Sequence, residues 1–141
     1  MDKLKAEVKR QNLENSVELE GFVSDIKSFM TGIDIFVLSS LWEGFGYVLV
    51  EAHACKKPVV AFNVSSNPEI VIPNENGLLV PVNDTGVFAD AVIELIKSPE
   101  LREKLGHNGR SQVENNFDIN VRTEQLVEFL KLNSYSEKEE T

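Results

Sequence analysis

The sequence is poor in basic residues. It has 14 Lys and Arg against 23 Asp and Glu, which gives a formal net charge of −9. A protein that binds nucleic acid needs a basic surface that displaces counterions from the phosphates. We therefore expect no nucleic-acid partner for this chain.

Long apolar runs and cysteines are also scarce. No run approaches the roughly 20 apolar residues of a membrane-spanning helix, and the basic segment 1–10 lacks the apolar stretch of a signal peptide. The single cysteine, Cys55, cannot form an internal disulfide. These features are typical of a reducing compartment, and we expect a cytoplasmic location.

The sequence also lacks linkers, internal repeats and low-complexity segments, which argues against a second domain. Its 141 residues are 42% apolar, and a chain of this length buries roughly 68% of its unfolded surface around one core. We predict one domain over residues 1–133 and a polar, frayed tail over 134–141.

What the sequence does contain is an alternation of helical and strand-like apolar patterns. The predicted strands cover residues 17–22, 33–38, 58–62 and 78–80. The predicted helices cover residues 2–14, a segment capped by Ser24, residues 47–55, a turn at 67–69, residues 84–96, a helix opened by Pro99, and a last helix capped by Asp118.

The predicted packing follows from these patterns. Strand 33–38 has almost no polar alternation, which is typical of a strand covered on both faces of a parallel sheet. We expect Val48, Ala52 and Cys55 to form the buried face of their helix, and Leu126 to face the core. The fold class is therefore predicted to be α/β, a Rossmann-like parallel sheet with helices on both faces.

The most informative segment is the loop before the helix at 47–55. Residues 43–51 read Glu-Gly-Phe-Gly-Tyr-Val-Leu-Val-Glu. Ligands of α/β sheets bind beyond the carboxyl ends of the strands, and free N–H groups at a helix N-terminus attract anions. Gly44 and Gly46 would let the backbone approach a phosphate. A tight strand-to-helix turn without a ligand explains the glycines equally well.

Two glutamates favour the ligand. Glu43 precedes the helix, and Glu51 lies within it, on a segment too apolar to be a solvated face. A carboxylate buried without a partner is unfavourable, whereas carboxylates do recognise ribose hydroxyls. A phosphate at the helix start with a ribose beside Glu51 is a coherent geometry. The alternative is that Glu51 pairs with a neighbouring basic or backbone group.

An ordered set of motifs resembles one known family. Glu43 and Glu51 have the spacing of a Glu-x7-Glu motif, inside Ser-Ser-Leu-Trp-Glu-Gly-Phe-Gly at 39–46. Over residues 5–132 the sequence resembles the C-terminal, donor-binding half of GT-B retaining glycosyltransferases of family 4, the group 1 type. The further matching segments are 21–23, 34–37, 51–61, 67–71 and 76–80.

The resemblance implies a role for each matching position. Glu51 would bind the donor ribose, the backbone at 46–48 the diphosphate, and the loop 21–23 would flank the base. Glu43 would be the catalytic residue, orienting the donor sugar. The implied donor-binding set is Glu51, Gly44, Phe45, Gly46, Tyr47, Val48, Gly21, Phe22 and Val23.

The resemblance further implies retaining sugar transfer from a nucleotide diphosphate, UDP- or GDP-linked, in polysaccharide or glycolipid synthesis. It implies no cofactor and no metal, and the sequence contains no Asp-x-Asp. Helix N–H groups and basic side chains would stabilise the leaving diphosphate. The acceptor-binding N-terminal half would be missing from this chain, and the full-length enzyme is expected to be cytoplasmic or peripheral to a membrane.

Three departures from the family pattern limit what this chain would do alone. The family's Arg and Lys that grip the diphosphate, and the first strands of the sheet, have no counterpart here. Lys56 stands where the family has Gly, which in a left-handed conformation costs on the order of 1–2 kcal/mol. Ser65 and Ser66 replace a pair of glycines near the donor. The fragment by itself is therefore expected to be inactive.

Alternatives remain open at this point. The chain could be a non-catalytic remnant or interaction module that keeps the fold, or belong to the GT-B epimerases or phosphorylases. Trp42 either walls the site or packs, whereas His53 and Cys55 are interpreted as structural. Because missing strands would leave an unpaired apolar edge, we also expect self-association through that edge, or contact with a separate partner.

Overall fold

The structure is a computed structural model that describes residues 1–136. Strands and helices alternate through most of the chain, as the sequence predicts. The elements, in chain order, are α1 (Asp2–Arg10), α2 (Ile26–Gly32), β1 (Phe36–Leu38), α3 (Tyr47–Ala54), β2 (Val59–Phe62), α4 (Asn67–Ile70), β3 (Gly77–Val80), α5 (Thr85–Lys97), α6 (Pro99–Asn116) and α7 (Ile119–Ser136).

The three strands form a parallel sheet in the order β1-β2-β3. In the central strand, Val60 lies opposite Val37 of β1 and Leu78 of β3. Helix α3 connects β1 to β2, and α4 connects β2 to β3. Because the strands run in the same direction, their carboxyl ends and the loops that follow them share one edge of the sheet.

Strand β2 divides the hydrophobic core into two clusters. Its side chains alternate between the sheet faces, so Val59 and Ala61 pack with α2, α3 and α4, whereas Val60 and Phe62 pack with α5 and α6. All four residues of β2 are buried. The predicted α/β class, with helices on both faces of a parallel sheet, is confirmed.

Two glycines of α6 let this helix lie against α3 and the turn after it. A Cβ atom on Gly106 would overlap the carbonyl oxygen of Lys56, and one on Gly109 would overlap the imidazole of His53. His53 is fully buried in this contact, which confirms its structural interpretation. Neither ring nitrogen makes a hydrogen bond of normal geometry. Burial lowers the pKa of His53 to about 4, and the backbone of Lys57 offsets part of the shift.

The strand predicted at 17–22 is wrong, because this segment forms no strand. A strand needs a hydrogen-bonded neighbour, and the sheet of the described residues contains only β1, β2 and β3. The prediction that strand 33–38 is covered on both faces is also wrong. The part that forms a strand, β1, lies at the edge of the sheet, and Val37 is 46% exposed because α5 packs over β2 and β3 instead.

The buried face of α3 differs from the prediction. Leu49, Ala52 and His53 are buried, whereas Val48 and Cys55 are only half-buried. Glu51 is exposed rather than enclosed. It lies two positions from both Leu49 and His53, about 200° around the helix axis from each. Contact with α6 adds His53 to the buried stripe, and this long-range contact turns Glu51 outward.

Aspartate side chains cap α2, α5 and α7, and of these caps the sequence correctly predicted the one at Asp118. Asp84 accepts a hydrogen bond from the N–H of Val87, and Asp118 accepts one from the N–H of Asn120. The cap predicted at Ser24 is wrong by one residue, because Asp25 accepts the bond from the N–H of Ser28. A carboxylate is also favoured over a hydroxyl at a helix N-terminus by the helix dipole.

The last helix is less covered than predicted. Leu126, expected in the core, is 57% exposed, because the main packing contact of α7 is with α6 and is itself small. The helix continues to Ser136, past the predicted domain limit at residue 133. The rest of the predicted frayed tail, 137–141, lies outside the described residues.

Candidate functional site

The start of α3 is an open backbone site at the carboxyl end of β1. Gly46 precedes the helix in the left-handed conformation, with a φ of 74°. Its carbonyl accepts the N–H of Leu49 at 2.9 Å. The N–H groups of Tyr47 and Val48 have no partner among the described residues, as expected in a first helical turn. Such free groups form an anion site with the dipole of the helix.

Glycine is required at position 46 by its surroundings as well as by its φ. A Cβ atom there would lie 3.2 Å from Cδ1 of Leu49 and 3.4 Å from both Oδ1 of Asn67 and Cδ1 of Ile70. Gly44 differs, because it has no positive φ and a Cβ atom would meet only the Trp42 ring, at 3.8 Å. Of the two glycines in the loop, Gly46 is therefore the one that the fold itself demands.

Phe45 anchors the loop between these glycines. It is half-buried against the core, with its ring centroid 4.9 Å from that of Tyr47 and 5.9 Å from that of Phe117. Tyr47 is 73% exposed. Phe117 follows α6 and had no motif that linked it to this loop. Its contact holds the loop in place from a position far along the chain.

A cavity of about 550 Å³ brings part of the predicted donor-binding set together. Gly21, Phe22 and Val23 line one side of it, and Val48 and Glu51 of α3 line another. The lining is largely apolar. The loop residues Glu43, Gly44, Phe45, Gly46 and Tyr47 do not line it. They lie in the loop and turn that precede Val48 in the chain.

Neither glutamate of the Glu-x7-Glu pair, Glu43 or Glu51, forms an ion pair with the rest of the described chain. Glu43 is half-buried and Glu51 is exposed. Neither carboxylate has a hydrogen-bond or ion-pair partner among the described residues. The alternative in which Glu51 pairs with a neighbouring basic or backbone group therefore does not apply. Both carboxylates are free to accept hydrogen bonds from ligand hydroxyls.

Two basic side chains that the sequence motifs did not indicate lie beside Glu51. Lys27 and Arg110 line a second cavity of about 370 Å³ together with Glu51. Arg110 is already engaged, because it donates to the carbonyl of Ala54 and to Glu114, each at 2.7 Å. Lys27 was not identifiable from the sequence, since its proximity depends on how α2 packs against α3.

The segment after β2 contributes polar atoms next to Gly46. Asn67 is fully buried and donates from Nδ2 to the carbonyl of Phe62 at 2.9 Å, which leaves its Oδ1 without a partner. The hydroxyl of Ser66 is also buried and unpaired.

Ser65 has a φ of 48° and Lys56 a φ of 56°. Both residues stand where the resembled family has glycine, and both have a left-handed backbone conformation. The family resemblance implied this conformation for Lys56.

No three His, Cys, Asp or Glu side chains between residues 1 and 136 are grouped so that they could hold a metal ion. Within the same range, none of the helices combines the length and apolarity required to traverse a bilayer.

The parallel sheet and the glycine-started helix define a C-terminal-type domain of the GT-B fold. A family model of glycosyl transferases group 1 matches residues 1–112. The chain belongs to this family. It is 39% identical over 111 residues to the capsular polysaccharide biosynthesis glycosyltransferase CapM of Staphylococcus aureus, a match that covers 79% of this chain and 29% of CapM.

Solved structures agree with this assignment. HepE from Anabaena, crystallised in complex with UDP, matches 92% of this chain and 36% of its own, with 30% identity and a TM-score of 0.86. The C-terminal domain of LpcC, a group 1 family protein from Francisella tularensis, matches 84% of this chain and 62% of its own, with 35% identity and a TM-score of 0.76. The chain thus spans about a third of the length of these two full-length relatives, 29% of CapM and 36% of HepE.

Proposed function

We propose that this chain is the nucleotide-sugar-binding part of a retaining glycosyltransferase. The observation that carries the proposal is the start of α3, where Gly46 leaves the N–H groups of Tyr47 and Val48 unpaired. Two further residues of the same helix, Val48 and Glu51, line the larger cavity. HepE, whose fold matches that of this chain, has been crystallised with UDP and with UDP-glucose, which supports a ligand of this class.

Each part of the ligand has a matching group along α3. The diphosphate binds the free N–H groups after Gly46, where the helix dipole favours negative charge. The ribose hydroxyls donate to Glu51, and the base enters the apolar cavity beside Phe22 and Val23. At about 550 Å³ the cavity falls within the usual range for small-molecule sites. The sugar then extends toward Glu43, whose free carboxylate orients its hydroxyls.

Transfer leaves negative charge on the departing diphosphate. In this proposal the helix N–H groups stabilise that charge without a metal, because they already point at the site and need no reorganisation. Lys27, the cationic residue of α2, lines the second cavity together with Glu51 and would add a positive charge near the ligand. The proposal also includes an acceptor that is bound by a separate half of the enzyme, and transfer with retention of configuration. It further includes a cytoplasmic location and pairing of the open β1 edge with another strand.

A second candidate is a non-catalytic interaction module that keeps the fold. Ser65 favours it, because a side chain in left-handed backbone narrows the space that a glycine would leave near the donor. The two candidates differ in one property. Only the first requires that the isolated chain binds a nucleotide diphosphate.

Ligand-dependent thermal stability separates the candidates. UDP or GDP at 100 times its dissociation constant should stabilise the fold by about 2.7 kcal/mol. Glu51→Gln should lose most of this gain, whereas Glu94→Gln, an exposed change on α5, should retain it. The gain should persist in EDTA. If UDP, GDP and ADP at millimolar concentration all leave the melting temperature unchanged, the interaction module is the better account.

A further inference from the structure

Trp42 is the only tryptophan of the chain, and it is not used by the core. Its side chain is 75% exposed, so the packing interpretation of this residue is wrong. The ring is nevertheless not directed away from the molecule. Its Cη2 atom lies 3.8 Å from the position that a Cβ atom of Gly44 would take. Trp42 therefore folds back over the glycine loop that leads to Gly46.

The chemistry next to this ring is specific. Glu43 follows Trp42 directly and is half-buried with a carboxylate that has no partner among the described residues. A pyranose ring has an apolar C–H face and an edge of hydroxyl groups. An aromatic face suits the first and a free carboxylate suits the second, and Trp supplies both a large apolar surface and little conformational freedom to lose.

We propose that Trp42 is a stacking platform for the sugar ring of the nucleotide-sugar donor. The inference rests on the proposed function, which places the diphosphate at Gly46 and the sugar toward Glu43. The donor sugar is favoured over an acceptor sugar because the Trp42 ring lies next to Gly44, which is two positions before Gly46 and the proposed phosphate site. Trp42 then distinguishes a sugar-bearing donor from the bare nucleotide.

Calorimetric titration of the whole chain tests this. UDP, UDP-glucose, GDP and GDP-mannose are titrated into the wild type, Trp42→Ala and Trp42→Phe. Trp42→Ala should weaken the preferred sugar nucleotide by about tenfold, equivalent to about 1.4 kcal/mol, and leave the bare nucleotide unchanged. Trp42→Phe should retain most of the affinity. Leu41→Ala, which removes an exposed apolar side chain of the same loop, is the matched control and should change nothing.

Fluorescence gives a second reading, since all tryptophan emission comes from Trp42. The sugar nucleotide should shift the emission to shorter wavelength, because the bound sugar excludes water from the indole ring. The bare nucleotide should cause no such shift. Equal affinity of wild type and Trp42→Ala for the sugar nucleotide overturns the platform and leaves the proposed function intact. So does an emission shift produced by a free oligosaccharide alone, which indicates an acceptor sugar. Absence of any nucleotide binding overturns both.

Discussion

Gly46 faces the buried amide of Asn67 so closely that a Cβ atom on Gly46 would lie 3.4 Å from Oδ1 of Asn67. The contact joins the loop before α3 to the start of α4, two segments that follow neighbouring strands of the sheet. The buried amide of Asn67 therefore lies beside the start of α3, where the N–H groups of Tyr47 and Val48 have no partner among the described residues.

Gly46→Ala should therefore destabilise the fold and weaken nucleotide binding together. An alanine at a φ of 74° costs on the order of 1–2 kcal/mol before any contact with Asn67 is considered. Urea denaturation measures the loss. Gly44→Ala is the control, because that position is open and lacks a positive φ, and its stability should stay within about 0.5 kcal/mol of the wild type. Equal losses in the two variants would contradict this assignment.

Lys56→Gly should stabilise the protein. Lys56 holds a φ of 56°, and relief of this strain outweighs the greater backbone entropy of an unfolded glycine, for a net gain of about 0.5–1 kcal/mol. Lys56→Ala keeps the Cβ atom and should give no gain, which separates conformational strain from loss of charge. Chemical denaturation of the two variants checks the prediction, and a larger gain in Lys56→Ala would refute it.

The free energy of unfolding should decrease as the pH is lowered, because of the titration of His53. Burial lowers the pKa of His53 from 6.5 to about 4, so between these values the unfolded chain binds a proton that the folded chain does not. The contribution of this difference to the free energy of unfolding is complete above pH 6.5 and is lost as the pH falls toward 4. Below pH 4 it changes no further. The full loss is about 3 kcal/mol.

Denaturation at several pH values tests the role of His53. His53→Met, which keeps a bulky apolar side chain against Gly109, should flatten this part of the pH profile. His107→Gln should not, because His107 is an exposed residue of α6. An unchanged profile in His53→Met would assign the pH dependence to other groups.

The open edge of the sheet gives a prediction about association. Among residues 1–136 the β1 backbone is paired with β2 alone, and Val37 is exposed. If this edge pairs with another copy, light scattering at high protein concentration should detect dimers, and Val37→Lys should reduce them because edge charges oppose strand pairing. Val82→Lys, an exposed change outside the strands, should not. A wild-type monomer at every concentration would contradict pairing.

Local sequence pattern was sufficient for most elements and for the loop at Gly46. Strand β2, helices α5 and α6, and the cap at Asp118 depend on residues within a few positions of one another, so periodicity and capping rules recover them. The glycine turn before α3 was likewise indicated by a contiguous motif, but the motif did not distinguish the left-handed Gly46 from Gly44.

Contacts between distant segments explain the errors. Glu51 faces outward because Gly109 of α6 covers His53, a contact across 56 positions that no local pattern contains. Phe117 reaches Phe45 over a still longer separation. The segment 17–22 has a strand-like pattern but no described neighbour to pair with, and the pattern alone cannot supply that neighbour.

Backbone amide NMR during nucleotide titration is the most direct test of the central claim, that the start of α3 binds the diphosphate. UDP or GDP should shift the amide resonances of Tyr47 and Val48 most strongly, with smaller shifts at residues 21–23 and at Glu51. The amide resonances of α5, which lines neither cavity, serve as the control and should remain unchanged. No shifts at millimolar nucleotide, or shifts confined to residues outside this site, would contradict the account.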